Sequence, residues 1–562
     1  MLKDIFGLRS VGPTRYSIIS FRSLQRRREE RRGLLTGVAE SKPRSVVIKA
    51  SSEESPLYST TIVKKVVLTS AAGLIASGGV QAADFPVQAK AIEYVKVCSS
   101  YGAGFYYIPG THTCIKLGGF LRADVMLGSN SFVLNPVSGV GAAHNRLSNA
   151  YTARSRADLS IDTRTASEYG VVRTFFEGNF TWKTGSTSAA GSGATAYSGD
   201  GLGLGTLSIW YAFIQFEGFT IGKAVSQFSA PWTNYPANNF FDGLPGGGGD
   251  ASGVNQLSYT ADFGQGITAT VSAQDPTAYY QTNIWNTTNA TAAGIVTGAY
   301  GSQSYGGTVA PDIVGMMRIE QAWGLFQASA AAHNNHAAYY GASEVTGHAD
   351  DKWGWAGQLA LSIKNIPTGA GDTINLQAAY TKGASSFSLQ ENIPTAWAMY
   401  GGTSRAGAYQ SLGFAGVADA IYSGSTVATS TALQLTTTYG FNGGYIHNWG
   451  PYWNTAVYGG WAAIRYTDAA KAQICGSAGM AALGLTGVCN PDFNIAAVGT
   501  VTRWTPVRNL TFSADLFATF LDQKYSGTLA APAVAAVAKP AAVYELKNQS
   551  AFSMLLRVQR NW

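Results

Sequence analysis

Between Ile115 and Leu127 every odd position is apolar or glycine: Ile115, Leu117, Gly119, Leu121, Ala123, Val125 and Leu127. The even positions include Lys116, Arg122 and Asp124. A period of two is the period of a β-strand, whose successive side chains leave opposite faces. The same alternation recurs in blocks of about ten residues, divided by turn-forming residues, down to the C-terminus. There Phe552, Met554, Leu556, Val558 and Trp562 oppose Ser553, Arg557, Gln559 and Asn561. Lipid on one side and water on the other account for both faces at once.

The pattern resolves into sixteen segments, near 115–127, 151–166, 171–182, 207–217, 219–228, 256–263, 266–274, 313–322, 324–333, 354–365, 373–387, 433–447, 454–467, 494–504, 510–524 and 551–562. Short turns, such as 166–170, 218, 264–265 and 507–509, alternate with loops of about 9 to 45 residues. An even strand number with short turns at one end and long loops at the other predicts an all-β fold, a closed sixteen-stranded antiparallel transmembrane β-barrel with its short turns at the periplasmic end. Closure is a physical requirement, since an open edge would leave unpaired N–H and C=O groups in hydrocarbon at several kcal/mol each. Register is equally constrained. A slip of one residue in 115–127 would turn Lys116, Arg122 and Asp124 into lipid, where a basic side chain costs about 2–4 kcal/mol at mid-depth. Trp182, Trp323, Trp449, Trp453, Trp504 and Trp562, near strand ends, suit interfacial aromatic girdles.

Composition excludes the alternatives. The chain has 562 residues, of which only 13 % are charged, and 66 are glycine. That charge share is about half of what a soluble globular protein carries. No run of eighteen apolar residues occurs, and mean hydropathy is +0.02, which excludes a polytopic helical membrane protein. The 25 Phe, 29 Tyr and 13 Trp exclude a disordered chain.

A net charge of +7 would ordinarily suggest an anionic partner such as nucleic acid. Its distribution argues otherwise, because residues 1–82 hold 14 Lys and Arg against 6 acids, leaving the remainder at −1. The basicity belongs to a leader, and no nucleic-acid partner is expected. Within it, Lys64 and Lys65, the apolar stretch 66–76 and the small-residue site Val80-Gln81-Ala82 form a secretory signal peptide over 63–82, with cleavage after Ala82. Residues 1–62 form an upstream extension, and we expect translation to start at Val63 on a GTG codon. An Arg- and Ser-rich transit peptide is the other reading, poorly matched by Glu29-Glu30 and Glu53-Glu54.

Four cysteines allow three connectivities. They fall into two local pairs in a chain bound for an oxidising compartment, so Cys98–Cys114 and Cys475–Cys489 are expected as disulfides. The first closes an N-terminal segment, 83–114, ahead of the barrel at 115–562. Zinc would need closer CxxC-type spacing, and no metal or cofactor is expected.

At this point the residues resemble a family. Cys98-Ser-Ser-Tyr-Gly-Ala-Gly-Phe-Tyr-Tyr-Ile-Pro-Gly-Thr-His-Thr-Cys114 and the Ile-Lys-Leu-Gly-Gly-Phe-Leu-Arg that follows are similar to the alphaproteobacterial general porins of the Rhizobium and Brucella type. So are Phe213-Ile-Gln-Phe-Glu-Gly-Phe-Thr-Ile-Gly-Lys223, Pro311-Asp-Ile-Val-Gly-Met-Met-Arg-Ile-Glu-Gln-Ala-Trp-Gly324 and Thr502-Arg-Trp-Thr-Pro506. These blocks span the region 83–562. The resemblance implies a homotrimeric outer-membrane porin, surrounded by lipid and lipopolysaccharide, with its third long loop folded into the lumen. Passive diffusion of ions and small hydrophilic solutes through a water-filled channel is the implied function. Two departures stand out. Loop three, 229–255, contains only Asp242 and Asp250 as acids, together with Gly246-Gly-Gly-Gly249. The chain ends in Trp562 where such barrels usually end in Phe, which keeps an aromatic for the outer-membrane assembly machinery.

The water-facing positions of the first three strands nominate the channel residues. Lys116, Arg122, Arg154, Arg156, Arg164 and Arg173 would form a basic constriction wall, Asp124, Asp158, Asp162 and Glu177 lumenal acids, and Asp242 and Asp250 the facing loop. Each arginine is equally well explained as a solvated lumen residue paired with its neighbours.

Enzyme motifs are weak. Gly218-Phe-Thr-Ile-Gly-Lys223-Ala224 resembles a phosphate loop but is one residue short, with Ala where Ser or Thr must reach magnesium. Gly201-Leu-Gly-Leu-Gly205 lacks the dinucleotide spacing. His333 and His336 should leave a strand on opposite faces, which disfavours a shared metal. No enzyme is expected. The alternative function is an adhesin or receptor barrel acting through loops four and six, 276–312 and 391–427, which are long and rich in Gly, Ser, Thr and Tyr.

Overall fold

The structure, a computed structural model, describes residues 96–184 and 206–562. The leader expected over 1–82 and Gly201-Leu-Gly-Leu-Gly205 lie outside the described residues. Sixteen strands make the wall: β1 (Cys114–Leu127), β2 (Tyr151–Ser167), β3 (Gly170–Lys183), β4 (Thr206–Phe216), β5 (Phe219–Ala224), β6 (Val254–Asp262), β7 (Ile267–Gln274), β8 (Asp312–Gln321), β9 (Gly324–Asn335), β10 (Lys352–Lys364), β11 (Thr373–Lys382), β12 (Thr437–Asn448), β13 (Trp453–Arg465), β14 (Phe493–Val507), β15 (Leu510–Gln523) and β16 (Gln549–Asn561). Each pairs antiparallel with the next, and β1 pairs with β16 as well as β2, so the sheet has no free edge.

Register bears out the alternation. Val125 faces Ala153 on β2 and Leu556 on β16, and Asp124 faces Arg154 and Arg557. Leu117, Leu121, Val125, Leu359, Leu376, Leu516 and Phe552 are all exposed on the outside. A soluble protein would bury them; in hydrocarbon they are in their own medium. The six tryptophans assigned to the girdles are all exposed, and Trp453 and Trp504 stack at 5.8 Å across β13 and β14.

Three strand ends differ from the periodicity by four residues or more. Strand β5 stops at Ala224, four residues early, because Ser226 N–H turns inward to the Asp250 carboxylate. Strand β11 stops at Lys382, where Gly383 adopts φ +65 and a short helix, Ser386–Leu389, follows. Strand β12 starts at Thr437 rather than 433.

At the short-turn end, β14 and β15 are joined by 508–509 and Trp562 N–H donates to Gly119 O at 3.2 Å. The Cys98–Cys114 disulfide sits at the same end, where β1 begins, and Cys475–Cys489 lies in the loop between β13 and β14. At the other end the loops range from 336–351 to 383–436 and pack on one another. One four-stranded sheet joins 283–286, 302–303, 418–422 and 434–435; a second joins 396–401, 410–416, 528–531 and 542–546. Trp285, Tyr300, Trp397, Phe414, Ile474 and Tyr525 share one buried apolar cluster with Phe493 and Leu521 of the wall. The loops thus carry a hydrophobic core of their own above the strands.

Candidate functional site

The barrel interior is divided by its third loop, residues 225–253 between β5 and β6. Asp250 closes the neck of this loop. Its carboxylate accepts from Ser226 N at 3.0 Å, Ser229 Oγ at 2.6 Å and Tyr280 OH at 3.2 Å, and it is fully buried. Burial pushes this carboxyl up to about 6, against the pull of those hydrogen bonds.

From the neck the loop runs along the inside of β9 to β15, and these strands present what a backbone needs. Gln358 on β10 accepts from Gly248 N at 2.7 Å and donates to Phe228 O at 3.1 Å. Gln327 on β9 donates to Ser229 O at 3.0 Å, Asn375 on β11 to Pro236 O at 2.7 Å, and Asn442 on β12 to Pro245 O at 3.2 Å. Arg503 on β14 donates to Ala237 O at 2.9 Å, and Asp515 on β15 accepts from Phe240 N at 2.7 Å. Unpaired backbone groups inside a protein cost free energy, and this wall satisfies them. Glycine makes the approach close enough. Gly246 has φ +96, and a Cβ there would collide with the Phe441 backbone. The facing Gly440, Gly444 and Gly460 leave room for Gly246, Ala237 and Pro245 respectively. Phe241 stacks on Phe517 at 4.5 Å and completes the seat.

Across the lumen the wall is made of β16, β1, β2 and β3, and it is charged. Asp124 lies buried between two guanidinium groups, accepting from Arg154 Nε and Arg557 Nε, each at 2.7 Å. Arg154 also lies over Phe132 of the first long loop, 128–150 between β1 and β2, and Arg557 over Phe240 of the third at 3.9 Å. Arg122 and Arg156, register partners on β1 and β2, take neutral acceptors instead. Arg122 Nε donates to Gln559 Oε1 at 2.7 Å and Arg156 Nε to Thr181 Oγ1 at 2.9 Å. Asp158, on the same face, is buried with Oδ2 unpartnered, and Glu177 faces Tyr211 across β3 and β4.

Nearer the short-turn end Asp162 bridges Arg164 at 3.1 Å and Arg173 at 3.0 Å, and Arg173 also donates to Gln215 at 2.8 Å. The rings of Tyr101 and Phe105, held by the first disulfide, lie under Arg164, and Lys116 lies over Phe105 at 5.9 Å. Lys116, Arg164 and Arg173 thus form a second basic group, separate from Arg122, Arg154 and Arg156.

The two loop acids have different places. Asp242 is buried where loop three meets loop one, its N–H donating to Val133 O at 2.9 Å. Burial pushes its carboxyl above the usual carboxylate range, while the Tyr235 hydroxyl and the Arg154, Arg557 and Arg156 charges pull it down. Asp250 serves the neck rather than the constriction. Glu391, from the loop between β11 and β12, accepts from Ser252 N at 3.2 Å and Ser252 Oγ at 3.1 Å. Burial and the nearby Asp250 and Asp242 push it up to about 8.

Arg557 and Arg503 belong to this site although alternation alone did not nominate them. Arg557 stood on the polar face of the last strand, but only closure makes it the neighbour of Asp124. His333 and His336 each pair with a separate carboxylate, Asp312 at 2.8 Å and Asp351 at 2.7 Å.

The chain is similar to several known proteins. The profile of a porin subfamily matches residues 84–555. Porin Omp2b of Brucella suis biovar 1 is 33 % identical over 214 residues, 38 % of this chain and 54 % of that protein. Porin Omp2b of Brucella melitensis gives the same identity over the same shares. The chain spans about half the length of the relatives it matches. Among solved structures, the outer membrane channel DcaP of Acinetobacter baumannii aligns with TM-score 0.48 at 15 % identity, covering 81 % of this chain and 99 % of that one. OmpT of Vibrio cholerae in its trimer form aligns with TM-score 0.37 at 7 % identity, covering 80 % of this chain and 100 % of the other.

Proposed function

The chain belongs to the porin subfamily, an outer-membrane family, and from that premise we propose that it forms a water-filled channel through which ions and small hydrophilic solutes diffuse passively. One observation carries the reading: an apolar exterior encloses a charged interior, with loop three fastened along the opposite side of the lumen from the arginines. Nothing in this role calls for bond chemistry, and we assign no catalysis.

Lys116, Arg122, Arg154, Arg156, Arg164 and Arg173 line the path as its basic side, with Asp124, Asp158, Asp162 and Glu177 as the interleaved acids. Two unit charges 4 Å apart in water interact by about 1 kcal/mol, and salt screens them beyond about 8–10 Å. A wall of this kind biases which ions enter by a few-fold and does not filter strictly.

The assembly we propose is the homotrimer that the family resemblance implies. It sits in lipid and lipopolysaccharide, and the final strand, ending in the exposed aromatic Trp562, is presented to the assembly machinery. The mature chain begins after Ala82, which N-terminal sequencing of native protein checks. Planar-bilayer recording of the purified protein tests the channel itself. Stable conductance steps in triplets are expected; a silent bilayer would overturn the reading in favour of adhesion through the long loops.

A further inference from the structure

The lumen wall contains two pairs of arginines in direct cross-strand register, Arg164 with Arg173 and Arg122 with Arg156. Like charges placed opposite each other on one face repel and destabilise the sheet unless something lies between them. For the first pair the protein supplies it: Asp162 accepts from both guanidinium groups, at 3.1 Å and 3.0 Å.

For the second pair it does not. Asp124, next along β1, is already held by Arg154 and Arg557. Asp158, next along β2, makes no ion pair among the described residues. Neither Arg122 nor Arg156 has a carboxylate within ion-pair distance among the described residues. Both remain partly exposed to the lumen.

The orientation of these two side chains is nevertheless held. Each commits its Nε–H to a neutral wall acceptor, Gln559 or Thr181. Each lays its plane by an aromatic ring, Phe120 at 4.2 Å and Trp210 at 5.1 Å. What remains on each is the pair of terminal Nη groups, the part of a guanidinium whose fork matches two oxygens of one oxyanion. We propose that Arg122 and Arg156 form an oxyanion seat in the channel, occupied in passing by the phosphate or carboxylate group of a permeating solute as Asp162 permanently occupies the other pair.

The inference rests on the channel reading, and the experiment separates the two. Single-channel current of the purified full-length protein is recorded in potassium chloride with increasing inorganic phosphate, and in a second series with acetate. Phosphate should reduce the chloride current with saturation, and acetate should do the same if the seat serves oxyanions in general; a response to phosphate alone narrows it to tetrahedral anions.

The double variant Arg122→Gln with Arg156→Gln should lose the saturation, with about tenfold weaker binding for each arginine removed. Arg122→Lys with Arg156→Lys keeps both charges but not the forks. It should still give conductance steps in chloride, so that a folded channel is shown to remain, while binding phosphate more weakly, so that the fork geometry is shown to matter. Lys524→Gln, from an ion pair with Asp522 at the loop end of β15, should leave phosphate binding unchanged.

Conductance steps with no saturable response to either anion, or a response that survives the double glutamine variant, would overturn the seat while leaving the channel intact. A protein with no steps in chloride would overturn the channel first.

Discussion

Both sides of the lumen are polar, yet only one is strongly charged. Strands β9 to β13 offer Gln327, Gln358, Asn375, Asn442 and three inward glycines, whereas β16, β1, β2 and β3 offer Arg557, Arg122, Arg154, Arg156 and Arg173 with their acids. The difference follows from what each side faces. The first meets the backbone of loop three, and neutral amides satisfy N–H and C=O groups without burying charge. The charged groups of the second meet the loops at the rings of Phe132 and Phe240, and they pair with each other, as Arg154 and Arg557 do with Asp124, or stay partly exposed, as Arg122 and Arg156 do. The inward-folded loop is thus seated on β9 to β13 by neutral amides and glycines, and by charged groups, Arg503 and Asp515, only on β14 and β15.

The largest effect is expected where the charged side depends on one buried acid. Asp124→Asn leaves Arg154 and Arg557 without their counter-charge, and removing one member of a buried ion pair costs about 3–5 kcal/mol. Urea unfolding in detergent should show the loss, and the reversal potential should move toward anions. An unchanged midpoint would mean that Asp124 is not the hub of that wall.

Next is the neutral side. Gly246→Leu forces a side chain into the Phe441 backbone, and overpacking costs about 1–3 kcal/mol. Loop three should leave its seat, seen as a changed unitary conductance together with a lower thermal transition. Wild-type conductance from a correctly folded variant would break the account of the glycine contact.

A smaller effect sharpens the comparison. Gln358→Ala removes two hydrogen bonds to loop three and should cost about 1–3 kcal/mol. Faster amide exchange at Gly248 with little change in ion preference is the expected pattern. Arg156→Ala should do the reverse, shifting ion preference a few-fold at nearly constant stability, because Arg156 has no carboxylate partner among the described residues.

The subtlest test is pH. Glu391, pushed up to about 8, holds a proton in the folded junction that the unfolded chain releases near pH 4. The stability it contributes is therefore full below about pH 4 and is lost as pH rises through about 8. Exchange at the Ser252 amide should accelerate across that window, and Glu391→Gln should flatten the dependence. A pH-independent wild type would remove Glu391 from the account.

Much of this molecule is legible in its sequence. The sixteen strands, the faces of Leu117 and Arg122, the two disulfides and the tryptophan girdle all follow from short-range pattern. The candidate site was legible only in part. Asp242 and Asp250 looked equivalent in sequence, two lone acids in a glycine-rich loop, yet Asp250 ties the neck of that loop through Ser226, Ser229 and Tyr280. Arg154 and Arg156 also looked equivalent, and the partner of the first is Asp124 while that of the second is Thr181. Period two tells which face a side chain leaves from; it carries no information about which distant strand supplies its neighbour.

The sequence by itself determined the barrel, because a strand in lipid must hide every backbone polar group and every charge, and that requirement is written locally, residue by residue. Tertiary structure alone decided the chemistry of the lumen. Closure set Arg557 of the last strand beside Asp124 of the first, and the folded third loop chose which wall would be neutral. The reason is that hydrogen bonds and ion pairs depend on distances of a few ångströms between residues hundreds of positions apart, and no local pattern records them.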